Sequence, residues 1–278
     1  MRVKNVGKIG LTLFSLIVLV TSCTRDNTDH PNHGKITSLT VDWSNRGAGI
    51  NIPESYTVRI GEYSVVLSGT VNPIEHLFSP GRHTIYVYNA ANGVTVNGII
   101  ATADYTVPGG IGWFFAGRKD IVIDRDTEYS FAVEMQQKVR QLTLELDITG
   151  DARESLIGVE GSLSGVARTI NIDNNTIGTA TSSAFSFTQT GNRFTSDMRL
   201  LGVASDLQTL SLTLHFADGN PASYTMTYDL SSRLATFNDD KRVPMTLSSI
   251  IVVTPTRTGV TTEISDWILG GTSVGVAD

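Results

Sequence analysis

Short runs in which every second residue is apolar recur from Ile36 to Trp267, and no segment repeats at the helical period. The clearest covers residues 139–148. Arg140, Leu142, Leu144, Leu146 and Ile148 fall on one side of it, and Val139, Gln141, Thr143, Glu145 and Asp147 on the other. Side chains alternate across a strand, so such a run buries one face and wets the other. Residues 36–43 place Leu39, Val41 and Trp43 together in the same way, and residues 81–89 set Ile85 and Val87 against Tyr86 and Tyr88. Further strand-like runs lie at 56–60, 63–67, 121–123, 129–135, 156–163, 184–187, 194–203, 210–216, 224–230, 248–254 and 260–267. Asn92-Gly93 and Asn97-Gly98 are dipeptides of tight hairpins. Asp218-Gly219-Asn220-Pro221 reads as the turn into Tyr224. Residues 151–157 leave room for at most one or two helical turns. Many short strands parted by turns predict an all-β sandwich or barrel. A chain of 278 residues favours two sandwiches in tandem, divided near the polar step Gln136-Gln137-Lys138.

The first residues follow different rules. Arg2, Lys4 and Lys8 precede an unbroken apolar run at 9–20, in which only Thr12 and Ser15 are mildly polar. Thr21, Ser22 and Cys23 follow. A basic start, a short apolar stretch and a small-residue site make a secretory signal. The apolar run is too short to cross a membrane, which takes about 20 residues. Residues 1–22 are therefore expected to be removed. Residues 24–34 are polar, contain Pro31, and read as a tether.

Loss of the signal removes three of 21 cations and none of 27 acids, so the formal charge moves from −6 to about −9. An acidic chain with no Lys/Arg-rich run offers nucleic acid no footprint. Cys23 is the only cysteine, which rules out an internal disulfide. Stability must come from apolar cores, and a chain of this length can supply them.

Residues with a catalytic or metal-binding pattern are scarce. The sequence has no P-loop, no dinucleotide-binding glycine motif, no H-E-x-x-H and no G-x-S-x-G. Asp124-Arg125-Asp126 lacks the glycine and terminal Glu of a calcium loop and reads as a turn. Asp26, Asp29, His30 and His33 have ligand chemistry but sit on a tether with no core beneath them to hold them convergent. His83 and His215 fall within strands, where a packed or hydrogen-bonded role is expected. Trp113-Phe114-Phe115 follows Pro108-Gly109-Gly110. These aromatics either begin a buried strand or, with Tyr88, form an exposed platform for sugars; the usual burial of such residues favours the strand. The expectation is a protein without catalytic residues, cofactor or metal.

Val20-Thr21-Ser22-Cys23 resembles the lipobox of bacterial lipoproteins, in which the Cys thiol is acylated and the signal is cut just before it. Several other segments resemble the fimbrillin-A-associated anchor and accessory lipoproteins of type V pili. They are Asp29-His30-Pro31-Asn32-His33-Gly34, Val41-Asp42-Trp43-Ser44, residues 131–146, Leu163-Ser164-Gly165-Val166-Ala167, and Ile264-Ser265-Asp266-Trp267 with Gly270-Gly271 and Gly275 after it. Many of those proteins carry a second Cys before the Asp-His pair; here Asn27-Thr28 stands in its place.

The resemblance implies two transthyretin-like sandwiches, at 35–136 and 137–278, behind a lipid-attached tether at 23–34. It implies an outer-membrane, surface-exposed fimbrial lipoprotein that binds fimbrillin-type subunits by strand addition. An anchor of that kind keeps its own first strand, here 36–43. The strand it offers to a partner then lies near Val260, Ile264 and Trp267. A surface glycan-binding lipoprotein of the same architecture is the alternative. Two or three acyl chains suffice for stable membrane attachment. Cys23→Ala is therefore expected to abolish lipid labelling and shift the protein out of the membrane fraction; membrane retention at wild-type level would reject the anchor.

Overall fold

The structure, a computed structural model, describes residues 32–204, 207–217 and 221–270. Cys23, the signal and most of the tether, including Asp26, Asp29 and His30, lie outside the described residues. So does most of the turn at 218–221. Apart from a 3-10 turn at Arg153–Ser155, every regular element described is a strand. The strands form two sandwiches, within the all-β class that the alternation predicts.

In the first sandwich, Gly34–Asp42 occupies the middle of a sheet. It runs parallel to Glu128–Glu134 on one side and antiparallel to Val71–Asn72 and Leu77–Phe78 on the other. The facing sheet is antiparallel, in the order Gln136–Gln137, Phe115–Ile123, Gly81–Tyr88, Tyr56–Ile60, Tyr63–Leu67. Leu39, Val41 and Trp43 meet Val58, Ile85, Val87 and Phe115 between the sheets. Ile36 is buried with them, although its spacing of three from Leu39 would put it on the opposite face. The register against Glu128–Glu134 shifts by one residue between Ile36 and Ser38. This bulge absorbs the odd spacing and turns both side chains inward.

The second sandwich repeats the arrangement. Arg140–Thr149 runs parallel to Met245–Thr256 and antiparallel to Arg193–Leu200. Arg140, Leu142, Leu144, Leu146 and Ile148 are buried, the face the alternation assigns to the core. Thr188–Thr190 and Gly259–Ile264 lie at the two edges of this sheet. The facing sheet runs Ala180–Ser186, Leu156–Ala167, Thr209–Phe216, Ser223–Asp229. Its Leu163, Leu210, Leu212 and Leu214 pack on the leucines of Arg140–Thr149.

A fifth sheet joins the halves, and the alternation pattern gives no hint of it. Val94–Asn97 and Ile100–Ala103 form a hairpin whose turn contains Gly98, at φ 59°. That positive φ suits glycine, which has no Cβ to clash. Thr169–Asn171, from the second half, adds to this hairpin antiparallel, with Ile170 opposite Ala101. Beneath it lies an apolar layer drawn from both halves, with Ala101, Ile111 and Phe114 against Val139, Ile170 and Leu201. Gln136-Gln137-Lys138 is therefore no exposed linker. Gln137 and Lys138 are only 7% and 3% exposed.

Tyr105 ties the junction together. Its hydroxyl donates to the Ala167 carbonyl at 2.7 Å and accepts from the Leu201 N–H at 3.1 Å. Burial of this phenol pushes its pKa upward. Tyr105→Phe leaves two backbone groups without their partner at a cost of about 1–3 kcal/mol. The variant should melt several degrees lower in calorimetry; an unchanged Tm would show that the tyrosine does not bind the halves.

Candidate functional site

The residues expected to be offered to a partner sit at the edge of the second sandwich. Val260 and Ile264 lie on Gly259–Ile264, which pairs antiparallel with Met245–Thr256, and both side chains pack against the core. Trp267 is 1% exposed and belongs to the same core. Ile268–Leu269 pairs again with Met245–Thr256, through Leu247 and Ser248. The segment is thus held as an edge strand of its own sheet, because Trp267 anchors it there. The Ser265 N–H donates to the Ile250 carbonyl at 2.9 Å. Donors alternate along an antiparallel strand, so those of Glu263 and Thr261 face the same neighbour and those of Thr262 and Ile264 face outward. Beyond them Ile268 and Leu269 are 37% and 60% exposed.

The aromatic platform is not exposed. Phe114 and Phe115 are fully buried, in the junction layer and the first core respectively. Trp113 is half-buried beneath the Arg199 guanidinium, 5.7 Å from its ring centre. The strand reading of these aromatics holds because Phe115–Ile123 begins at the last of them. His83 lies on its strand with Nε2 2.7 Å from the Ser79 carbonyl, and His215 Nε2 stands 3.7 Å from the Glu160 carboxylate. Asp124-Arg125-Asp126 forms the turn between Phe115–Ile123 and Glu128–Glu134, with Asp126 at φ 51°. The Tyr129 hydroxyl donates to the Asp124 carboxylate at 2.9 Å.

A feature that sequence reasoning did not find is a cationic cleft of about 460 Å³ at the junction. Gln136, Lys138, Asn175, Asp239, Asp240 and Lys241 are among its lining. The Lys138 ammonium donates to the Gln136 side-chain oxygen at 2.9 Å and to that of Asn175. Lys241 donates to the carbonyls of Lys138 and Leu201. Arg140 donates to the carbonyls of Val243, Thr236 and Phe237. Among the described residues, none of these three cations has a carboxylate within ion-pair distance. The nearby Asp240 is taken by Arg242, at 2.9 Å. Lys138 was legible only as part of a polar step, and nothing in the sequence singled out Lys241. No spacing rule connects positions 103 residues apart.

Burial lowers the Lys138 pKa to about 8. Burial, reinforced by the charges of Lys138 and Arg140, lowers that of Lys241 to about 7. Free lysine titrates at 10.5, so between about pH 7 and that value the unfolded chain holds protons the folded chain has released. Stability therefore rises with pH across this window, by an amount on the order of a few kcal/mol. The melting temperature should climb between pH 7 and 9.5, and Lys241→Met should flatten the climb; a flat wild-type profile would show that the amines are not so buried.

The fold has known counterparts. The fimbrial anchor protein Mfa2 of Porphyromonas gingivalis superposes with a TM-score of 0.58 at 11% identity, over 86% of this chain and 98% of that one. A protein described as an adhesin, from Bacteroides ovatus, gives 0.55 at 16% identity over 78% and 90%. A protein of Bacteroides thetaiotaomicron described as polysaccharide-binding gives 0.52 at 8% identity over 86% and 96%. These likenesses establish a shared fold. No protein-family profile matches the chain, and no curated protein matches it in sequence.

Proposed function

We propose that this chain is a non-enzymatic, lipid-attached surface protein that terminates a fimbria, with sandwich domains at 35–136 and 137–278. Cys23 carries the lipid at the outer membrane, and the second sandwich receives a fimbrillin-type subunit by strand addition. The observation that carries this reading is the position of Gly34–Asp42. It is flanked on both sides within its sheet and buries Ile36, Leu39 and Val41. The first sandwich therefore presents no vacant groove at this strand. A subunit that keeps its first strand in place cannot accept a donor there, so a chain of subunits stops at it. Likeness to the Mfa2 anchor and to a protein described as an adhesin supports the same reading.

The segment expected to be offered as a donor strand is paired within its own sheet, so the role proposed for it is instead that of the receiving edge, Gly259–Ile264 with Ile268–Leu269. Its outward donors at Thr262 and Ile264 supply a main-chain ladder, and the exposed Ile268 and Leu269 supply apolar contact. Deleting residues 260–278 is a poor test, because it also removes Trp267. Loss of one buried Trp costs about 3–5 kcal/mol, against a total stability of about 5–15 kcal/mol. Thr262→Pro is sharper. It removes an N–H that faces away from the sheet, a position an edge strand tolerates. Capture of fimbrillin-type subunits, measured by surface plasmon resonance, should fall at least tenfold with Tm nearly unchanged; wild-type capture by this variant would reject this edge.

The glycan-binding alternative has the described polysaccharide-binding counterpart in its favour. It loses the aromatic platform, since Phe114 is buried.

A further inference from the structure

We infer that the junction cleft is a binding site for the carboxylate of an acidic sugar, a hexuronic acid residue of a surface polysaccharide. Three observations carry this.

The first is the charge arrangement. Lys138 and Arg140 are 3% and 7% exposed, and Lys241 reaches in beside them to the Lys138 carbonyl. Among the described residues, all three donate only to neutral carbonyl and amide oxygens. Asp239 and Asp240 favour the charge of Arg140, but burial disfavours that of the two amines, and for Lys241 the neighbouring cations make it worse. An ammonium has three donors. Lys138 and Lys241 each use two within the chain. One donor on each remains for an incoming oxygen, and a carboxylate has two oxygens to give.

The second is the sign of the rim. Asp239 and Asp240 line the same cleft; Arg242 pairs with Asp240, and both carboxylates also act on Arg140. The Asp239 carboxylate is itself an acceptor for sugar hydroxyls.

The third is size and polarity. A volume of about 460 Å³ lies within the usual range of small-molecule sites, about 300–1,000 Å³. The carboxamides of Asn45, Gln136 and Asn175 in its wall offer the paired donors and acceptors that sugar hydroxyls use.

Binding also has a proton signature. The groups facing the two amines are Arg140, Arg242, Asp239 and Asp240. Of the lysines, Lys241 releases its proton near pH 7. An anion in the cleft favours the charged amine, so binding at pH 8 takes up a proton. This inference rests on the cleft and is independent of strand capture at the Gly259–Ile264 edge.

The test uses the full-length acylated protein in detergent. Isothermal titration with a galacturonic acid trisaccharide, run at pH 8 in buffers of different ionisation heat, should show binding with proton uptake. A neutral galactose trisaccharide should bind at least tenfold more weakly. Lys138→Met and Lys241→Met should each weaken acidic-sugar binding at least tenfold, and Lys138→Arg should retain more of it than Lys138→Met. Equal binding of the neutral sugar, no binding of the acidic one to the wild-type protein, or binding unaffected in both Met variants would overturn the inference. Thr262→Pro, which breaks the proposed capture edge, should bind the acidic sugar as the wild-type protein does.

Discussion

The addition of Thr169–Asn171 to the hairpin strand Ile100–Ala103 is the contact that makes one molecule out of two sandwiches. Three residues of the second half complete a sheet begun by the first. That pairing presses Ala101 and Phe114 against Val139, Ile170 and Leu201. It also fixes the Tyr105 hydroxyl on the Ala167 carbonyl. Once the halves are locked, Asn45 and Gln136 of the first stand against Lys138, Asn175 and Lys241 of the second, and the cleft lies between them. A flexible linker at the same place would have left each of these groups in water.

The same locking carries an electrostatic cost. Lys138, Arg140 and Lys241 are withdrawn from solvent, and among the described residues their hydrogen-bond acceptors are carbonyl and amide oxygens. Polar partners lessen the desolvation penalty of a buried cation without cancelling it. A fold that needed only to hold two sandwiches together could do so with the apolar layer. Cations retained beside that layer are what a site for an anionic group requires.

Each sandwich pairs its opening strand in parallel with a later one: Gly34–Asp42 with Glu128–Glu134, and Arg140–Thr149 with Met245–Thr256. In the first sandwich this places the opening strand inside its sheet, where no other chain can replace it without displacing it. In the second it leaves Gly259–Ile264 at the rim with outward donors. The first sandwich is thus filled at its opening strand, and the second is open along one edge.

Period-two alternation was enough to read the all-β class and most core faces, because burial on one side of a strand leaves a pattern in adjacent residues. Leu142, Leu144 and Leu146 were legible for that reason, and so were Ile85 and Val87. The Asn97-Gly98 turn was legible because positive φ narrows the choice of residue. Ile36 was not, since a bulge breaks its phase with Leu39. The placement of Trp267 in the core, which holds the last strand to its own sheet, was not legible either. The basic start, the short apolar run and Cys23 are likewise properties of the sequence itself, which is where the expectation of a lipid rests. The cleft belongs to the tertiary structure alone. Lys138 and Lys241 are brought together by pairings between distant strands, and contacts of that range leave no periodic trace in the chain.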